Sequence, residues 1–395
     1  MASTSCTERA KTLLRYCLDG RAWPKELLRE LVDDCPEEFF RVVVEGLADL
    51  FEPRLCDTYA ALFSEAIEYA MPELRAEPLI ARYERVRRVR TCAANPKHVF
   101  VLSRVTLGAD IKITSIVLDA AKRRFPEASI HFVGGGKSAE LFPGVDHVAI
   151  DYPRGGSLCE RLASWREMRT RLSIPDAIVI DPDSRLTQLG LLPVCEEEDY
   201  FFFESRAYGG EGDEDLSALA RRWVSETLRT PAARVSEPRP SGSGPIAISL
   251  GTGGNPAKRI ADPFESELLR LVANNPNTIW IDKGAGGEEA VRVDRAIADS
   301  RIPRDRVRAW EGSFAGFADL IARSRLYIGY DSAGQHAAAA RGVPLLAIFA
   351  GFPSPRMFQR WRPTGSGRIE IVRVENPDPV AVLARVKKSL DSFLP

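Results

Sequence analysis

Two doubly wound, Rossmann-like α/β domains facing a central cleft, with a helical extension at the N-terminus, are the fold class that this sequence predicts. Three observations predict it. β-Branched runs alternate with amphipathic stretches after Pro96, the same alternation resumes after a Pro-, Gly- and Ser-rich segment, and the residues before Arg90 keep helical spacing.

From about Thr7 to Arg90 apolar residues recur at three and four positions, as in LLRYCL, LLREL and FFRVVVEGLADLF, with breaks at Pro24, Pro36 and Pro53. This spacing predicts a bundle of short helices over residues 1–95. HVFVLSRV, SIHFVGG, HVAIDY and DAIVID then read as strands, separated by the helix IVLDAAKRRF and a long polar helix from Leu158, in a domain of residues 96–235. PAARVSEPRPSGSGP, residues 231–245, has the composition of a linker. In residues 245–395 the strands PIAISL, TIWID, VRAW, RLYIGY, PLLAIF and IEIVRV alternate with helices such as FESELLRLVANN and FAGFADLIARS. The helix PVAVLARVKKSL closes the chain.

The 395 residues, 45% hydrophobic and 28% charged with a formal net charge of −1, describe a soluble globular protein and advertise no nucleic-acid partner. No basic start with an apolar run follows the first residue, and no stretch reaches ~18 apolar residues, so a cytoplasmic location is expected. The cysteines at 6, 17, 35, 56, 92, 159 and 195 form no close pair and are odd in number, which predicts reduced thiols. His98, His131, His147 and His336 offer no HxH or HxxxH spacing, so no catalytic metal is expected.

Other motifs yield weaker readings. VGGGKSAE at 133–140 has His131 where a phosphate loop needs its first glycine, and it reads as a strand-to-helix turn. Asp181-Pro-Asp183 is expected to cap a helix or meet an acceptor rather than hold a cation. The glycines of GTGG at 251–254 leave close backbone approach to a phosphate open. RYERVRRVR at 82–90 reads as a solvated helix face, with peripheral attraction to an anionic inner membrane surface as the alternative. His98 and His147, beside apolar strand residues, are expected to pack or cap.

Tyr327 to Phe349, YIGYDSAGQHAAAARGVPLLAIF, reads as strand, polar turn, Ala-rich helix and strand, with Asp331 and His336 bracketing the turn. A helix start above strand ends is where open α/β sheets hold ligands, and a nucleotide diphosphate fits it. The segment DSAGQHAAAARGVPLLAIFAGFPSP resembles the C-terminal signature of the heptosyltransferase-like glycosyltransferases, glycosyltransferase family 9 with the GT-B fold. In that family Asp-[Ser/Thr]-Gly-x-x-His opens the helix beneath the donor nucleotide; here Ala333 takes the glycine's place and Gly334 follows. PIAISLGTGGNPAKRIADPF is similar to the family's strand, small-polar loop and lysine, and VFVLSRVTLGADIKITSIVLDAAKRRFPEASI to its opening strand, Gly-Asp turn and helix. WIDKGAGGEEA is similar to the Gly-rich turn that meets the nucleoside, with its acidic position at Glu288. The resemblance spans roughly residues 97–390.

That resemblance implies an inverting, metal-free transfer of a sugar, by family a heptose, from a nucleotide-diphosphate sugar such as ADP-heptose, without a cofactor. The acceptor would be a saccharide or glycolipid, as in lipopolysaccharide biosynthesis. It implies Asp110, on the first half of the chain, as the base. Donor contacts would come from Thr252, Gly253, Lys258, Glu288, Asp331, Ser332, Gly334, Gln335 and His336, and an acceptor contact from Arg104. Physical chemistry agrees: a departing diphosphate needs cations and N–H donors, and an attacking hydroxyl needs a proton acceptor, which a carboxylate with an ordinary pKa of about 3.9 can be. Arg356, Arg360 and Arg362 either add to the cationic field or line a surface loop. A sugar-nucleotide epimerase and a non-catalytic nucleotide-sugar-binding protein are the alternative readings.

Overall fold

The computed structural model describes residues 5–231, 244–284 and 286–393. All but the ends of the linker expected at 231–245 lie outside them. The described residues form two compact units, one of residues 5–106, 113–231 and 353–360, the other of Leu107–Lys112, 244–352 and 361–393.

In the first unit the helical spacing becomes the helices Cys6–Leu18, Lys25–Asp34, Pro53–Ala70 and Ala76–Val86. Each is apolar on one stripe only, so each must bury that stripe against a neighbour. Leu13, Tyr59, Phe63 and Ile67 from these helices, with Phe39 from the π-helical stretch Phe39–Val44, enter the same core as Phe100, Leu102, Val179 and Leu191. The helical region and the sheet behind it therefore share one interior.

The folding back of the first helices corrects the reading of the cysteines. Cys6 and Cys35, 29 residues apart in sequence, come to a Cα separation of 5.6 Å and are joined as a disulfide. Cys17, Cys56, Cys92, Cys159 and Cys195 are thiols, and burial pushes Cys17, Cys56 and Cys195 up to about 12.

Strands β1 (His98–Leu102), β2 (Ser129–Gly134), β3 (Asp146–Ala149), β4 (Ala177–Asp181) and β5 (Tyr200–Phe202) make a sheet in the order β3-β2-β1-β4-β5. In the second unit β6 (Ile246–Ser249), β7 (Ile279–Asp282), β8 (Val307–Trp310), β9 (Leu326–Tyr330), β10 (Leu345–Phe349) and β11 (Ile369–Arg373) make a sheet in the order β11-β10-β9-β6-β7-β8. Every pairing is parallel. β4, β9 and β10 are buried along their whole length, as parallel strands covered on both faces must be. The strand order turns back between β1 and β4 in one sheet and between β6 and β9 in the other. At such a switch point the loops leave in opposite directions and open a crevice at the carboxyl ends.

Gly134 ends β2 and Gly136–Ala139 follows as a short helix, so GGGKS is a strand-to-helix turn. The basic run is divided: Arg85 and Arg88 are exposed, as a solvated face requires, while Arg82 is buried. Arg82 donates to Gly190 O at 2.8 Å, Arg85 pairs with both Glu197 oxygens at 2.8 and 2.7 Å, and Arg90 donates to Tyr200 O at 2.8 Å. These arginines join the helical region to the sheet. His98 Nδ1 lies 3.2 Å from His131 Nε2, and His147 Nε2 lies 2.7 Å from Gly134 O. Among the described residues no helix is long and apolar enough to cross a membrane.

Candidate functional site

The switch point of the second sheet gathers most of the expected site. After β6 the chain passes Thr252, Gly253 (φ 62°) and Gly254 (φ 82°), both glycines in the left-handed region that side chains disfavour. Asn255 Oδ1 then accepts the Ala257 N–H at 3.0 Å and starts the turn Pro256–Lys258. That turn delivers Lys258 to Asp331: Nζ lies 2.7 Å from Asp331 Oδ2 and donates to Asp331 O at 3.0 Å. The lysine side chain remains 18% exposed and the carboxylate 4%. Gly351 (φ 69°) closes over the turn, since a Cβ there would meet the Ala257 carbonyl at 2.5 Å.

β9 delivers Asp331 to the other side of the same crevice. The next residue, Ser332, is the N-cap of the helix Ala333–Ala340 and makes no side-chain capping bond. Asp331 is therefore not the cap; its second oxygen accepts the Gln335 amide. Gly334 explains the shifted glycine of the motif. A Cβ there would lie 2.1 Å from the Tyr327 hydroxyl, so the first helical turn can rest on β9 only with glycine at this place. His336 is buried beside Trp361, with ring centroids 5.8 Å apart. Burial first, then the charges of Lys112 and Lys258, hold its imidazole well below the usual range, so it is neutral at pH 7.

Asp110 is not on the opposite unit. Leu107–Lys112 belongs by its contacts to the second unit, although its sequence neighbours belong to the first. A single α-turn, Leu107–Ala109, runs into a π-helical stretch, Asp110–Thr114, a conformation often found at functional sites. Gly108 rests on the start of the Ala333–Ala340 helix: a Cβ on it would lie 3.3 Å from His336 Cδ2 and 3.5 Å from Ala333 Cα. Asp110 is fully buried, and Lys112, 4% exposed, donates to Arg362 O at 2.9 Å. The structure thus brings Asp110, Lys258, Asp331, Ser332, Gly334, Gln335 and His336 into one unit, with Lys112 as a cation the sequence reading did not single out.

At the Gly-rich turn after β7, Glu288 is exposed. Glu289, one residue on, faces inward, and its carboxylate lies 2.5 Å from where a Cβ on Gly251 would stand. Burial and the neighbouring Asp282 push Glu289 up. Asp282, at the end of β7, is pushed up by burial and accepts the Gly284 N–H at 2.9 Å. The helical phase of Gly287–Ser300 was the signal that could have favoured Glu289.

Arg104 lies in the first unit, just after β1. It donates to Pro182 O at 2.8 Å and to Ser205 Oγ at 2.6 Å, and stands 3.9 Å from Asp183. Asp183 also accepts Arg206 Nε at 3.1 Å, and these two guanidinium groups outweigh burial and hold its carboxyl below the usual range. Asp181 accepts from Ser184 N–H at 2.6 Å and from the Thr187 and Tyr200 hydroxyls, yet burial pushes it up to about 6. Asp181 thus holds the Ser184 amide, while the cap of the following turn Arg185–Thr187 is Ser184 itself, which accepts the Leu186 N–H. Arg356 donates to Phe51 O and Gly210 O, and Arg360 to Glu214 O and Gly210 O, so these arginines hold loops of the first unit.

Two doubly wound parallel sheets, the second with a lysine-bearing glycine loop and a helix start at its switch point, define the fold of the GT-B glycosyltransferases. No family model and no curated protein matches the sequence. Among solved structures the chain is similar to the E. coli heptosyltransferase WaaC with ADP, at a TM-score of 0.55 and 15% identity over 75% of this chain and 99% of that one. It is also similar to E. coli ADP-heptose LPS heptosyltransferase II, at 0.50 and 18% over 75% and 98%. A glycosyl transferase family 9 protein from Veillonella parvula DSM 2008 matches at 0.51 and 14% over 77% and 92%. The likeness is one of fold.

Proposed function

We propose that the chain is a glycosyltransferase that moves a sugar, a heptose on the reading favoured here, from ADP-heptose or a like nucleotide-diphosphate sugar to a hydroxyl of a saccharide or glycolipid. The observation that carries this is the packing of the Asp110 segment on the Ala333–Ala340 helix, in the unit that also holds Lys258. The GT-B fold supports it, as do the solved heptosyltransferase structures with ADP and with ADP-2-deoxy-2-fluoro heptose.

In this reading the acceptor oxygen attacks the anomeric carbon, the bond to the diphosphate breaks, and the hydroxyl proton passes to the Asp110 carboxylate. The charge that develops on the leaving diphosphate is met by Lys258 and the first amides of the Ala333–Ala340 helix. A single displacement inverts the anomeric centre, and no metal is assigned a step. Neutral His336 can donate or accept one hydrogen bond at the diphosphate without adding charge. A cytoplasmic location is part of the proposal; there the Cys6–Cys35 bridge would stand reduced.

The test follows ADP release from ADP-heptose with and without a saccharide extract as acceptor. Asp110→Asn is expected to lower turnover by ~10²–10⁴, the usual worth of a general base, while calorimetry finds ADP affinity retained. Unchanged turnover would remove Asp110 from the mechanism. Binding without consumption would make the chain a nucleotide-sugar-binding protein, and isomerised donor without ADP release an epimerase.

A further inference from the structure

The Cys6–Cys35 bridge differs from the other sulfurs of the chain in what surrounds it. Cys6 opens the helix Cys6–Leu18 and is partly exposed, whereas Cys35, directly after the helix Lys25–Asp34, is 2% exposed. One guanidinium lies against both. Arg9 Nη2 donates to Cys35 Sγ at 3.1 Å and stands 3.6 Å from Cys6 Sγ. Its other terminal nitrogen, Nη1, meets Glu30 at 3.3 Å and Asp34 at 3.8 Å.

A cation beside a sulfur stabilises the thiolate over the thiol, and a stabilised thiolate is the better leaving group when a disulfide is attacked. Glu30 and Asp34 oppose that field, but their side chains are 52% and 65% exposed and water screens them. The thiols elsewhere have another setting. Burial pushes Cys17, Cys56 and Cys195 up to about 12 and raises Cys92, so these four stay protonated and inert. Cys159 is exposed, with its sulfur 3.1 Å from Ala70 O.

We propose that Cys6 and Cys35 are a reversible thiol–disulfide site, in which Cys6 is the sulfur that small disulfides and thiols reach and Cys35 the resolving partner held by Arg9. The oxidant is a small disulfide of the glutathione type. The Cys6 thiolate attacks one of its sulfurs, the S–S bond breaks, and one glutathione thiolate leaves. The Cys35 thiolate then attacks the Cys6 sulfur of the mixed disulfide, and the second glutathione thiolate leaves. Two thiol protons pass to the two glutathiones; the chain loses two electrons and the oxidant gains them. Opening is the reverse, with Cys35 as the leaving group. The closed bridge pins the first turn of Cys6–Leu18 to the end of Lys25–Asp34. Ala10, Leu13 and Cys17 bury the rest of that helix, so opening frees one turn rather than the unit.

Glutathione redox buffers at pH 8, with alkylation of free thiols and mass spectrometry, test this on the full chain in a Cys159→Ser background that removes the exposed thiol. The bridge is expected to open and close across the series. Arg9→Gln is expected to raise the [GSH]²/[GSSG] ratio at half-opening by about four-fold, as a ten-fold loss of thiol acidity requires. Arg9→Lys, which keeps the charge, should stay within about two-fold of the parent. With Cys35→Ser, glutathione disulfide should leave an adduct on Cys6; with Cys6→Ser, the folded chain should leave Cys35 unmodified. A bridge that no ratio opens, or none closes, overturns the proposal. So does an unmoved midpoint in Arg9→Gln, one moved as far in Arg9→Lys, or an adduct on Cys35 in place of Cys6. The adduct experiment leaves Arg9 in place, so it decides the matter even if Arg9→Gln fails to fold. None of these outcomes touches the transfer chemistry.

Discussion

The carboxyl edges of the two sheets share a topology and differ in how their charges are used. At the first edge Asp181 holds Ser184, Thr187 and Tyr200, Asp183 holds Arg206 and Ser205 with Arg104 nearby, and Glu204 holds Tyr83 and Arg87. Arg206 and Asp183 are 3% and 1% exposed, so this network is sealed. At the second edge Lys258 shares one carboxylate, stays partly exposed and follows a loop in which Gly253 and Gly254 are open to solvent. A strand order that opens a crevice does not by itself make a binding site. The side chains at the edge decide it, by being tied to one another or left for a ligand.

Breaking the sealed edge is expected to have the largest effect. Asp183→Ala would leave the Arg206 guanidinium buried without its carboxylate, a loss of ~3–5 kcal/mol measured by urea unfolding, with ADP affinity of the folded protein unchanged. A loss below ~1 kcal/mol would mean that the first edge is as open as the second. Lys258→Ala should lower ADP affinity by ~10- to 100-fold, since a hydrogen bond from a charged group contributes ~1.5–3 kcal/mol. Equal affinity by calorimetry would remove the lysine from the donor site. Gly334→Ala tests the packing beneath that site. A Cβ 2.1 Å from the Tyr327 hydroxyl and 2.6 Å from its Cζ should cost ~1–3 kcal/mol of stability, and much less in a Tyr327→Leu background, which lacks the far end of the ring. An equal cost in both backgrounds would show that the tyrosine ring is not what requires the glycine.

Both sheets apart from β5, a strand of three residues too short to show a period, were legible because parallel strands buried on both faces are written as short apolar runs, as in AIVID and LLAIF, and because the Ala-rich helix between β9 and β10 stands out by composition. Lys258 and Asp331 were legible as a pair of positions, but not as partners, since their meeting depends on strand order. What sequence hid is long-range or phase-dependent. Cys6 meets Cys35 only because two helices fold back on each other. Of the arginines in RYERVRRVR, Arg85 and Arg88 stay solvated as their spacing suggests, whereas Arg82 is buried and finds the Gly190 carbonyl over a hundred positions away. Asp110 belongs to the unit opposite to its neighbours because Gly108 lets a turn settle on the Ala333–Ala340 helix. The choice between Glu288 and Glu289 is a matter of helical phase, one residue or 100° of rotation.

The two edges should also answer acid in opposite senses. His336 at the second edge is held well below its ordinary value of about 6.5, so the folded chain binds fewer protons there than the unfolded one. Its contribution is complete above about pH 6.5 and is lost as pH falls below that value, by up to ~1.4 kcal/mol per pH unit. Asp181 at the first edge is raised to about 6 from an ordinary value of 3.8, so the folded chain holds a proton that the unfolded one has released. Its contribution is complete below about 3.8, and is lost as pH rises towards 6. Urea midpoints at pH 7, 6 and 5 separate the two. His336→Gln should reduce the loss of stability on acidification, and Asp181→Asn should reduce the gain, so the two variants bend away from the parent curve in opposite directions. If both follow the parent slope, neither group titrates as its surroundings require, and burial of charge would not be what distinguishes the edges.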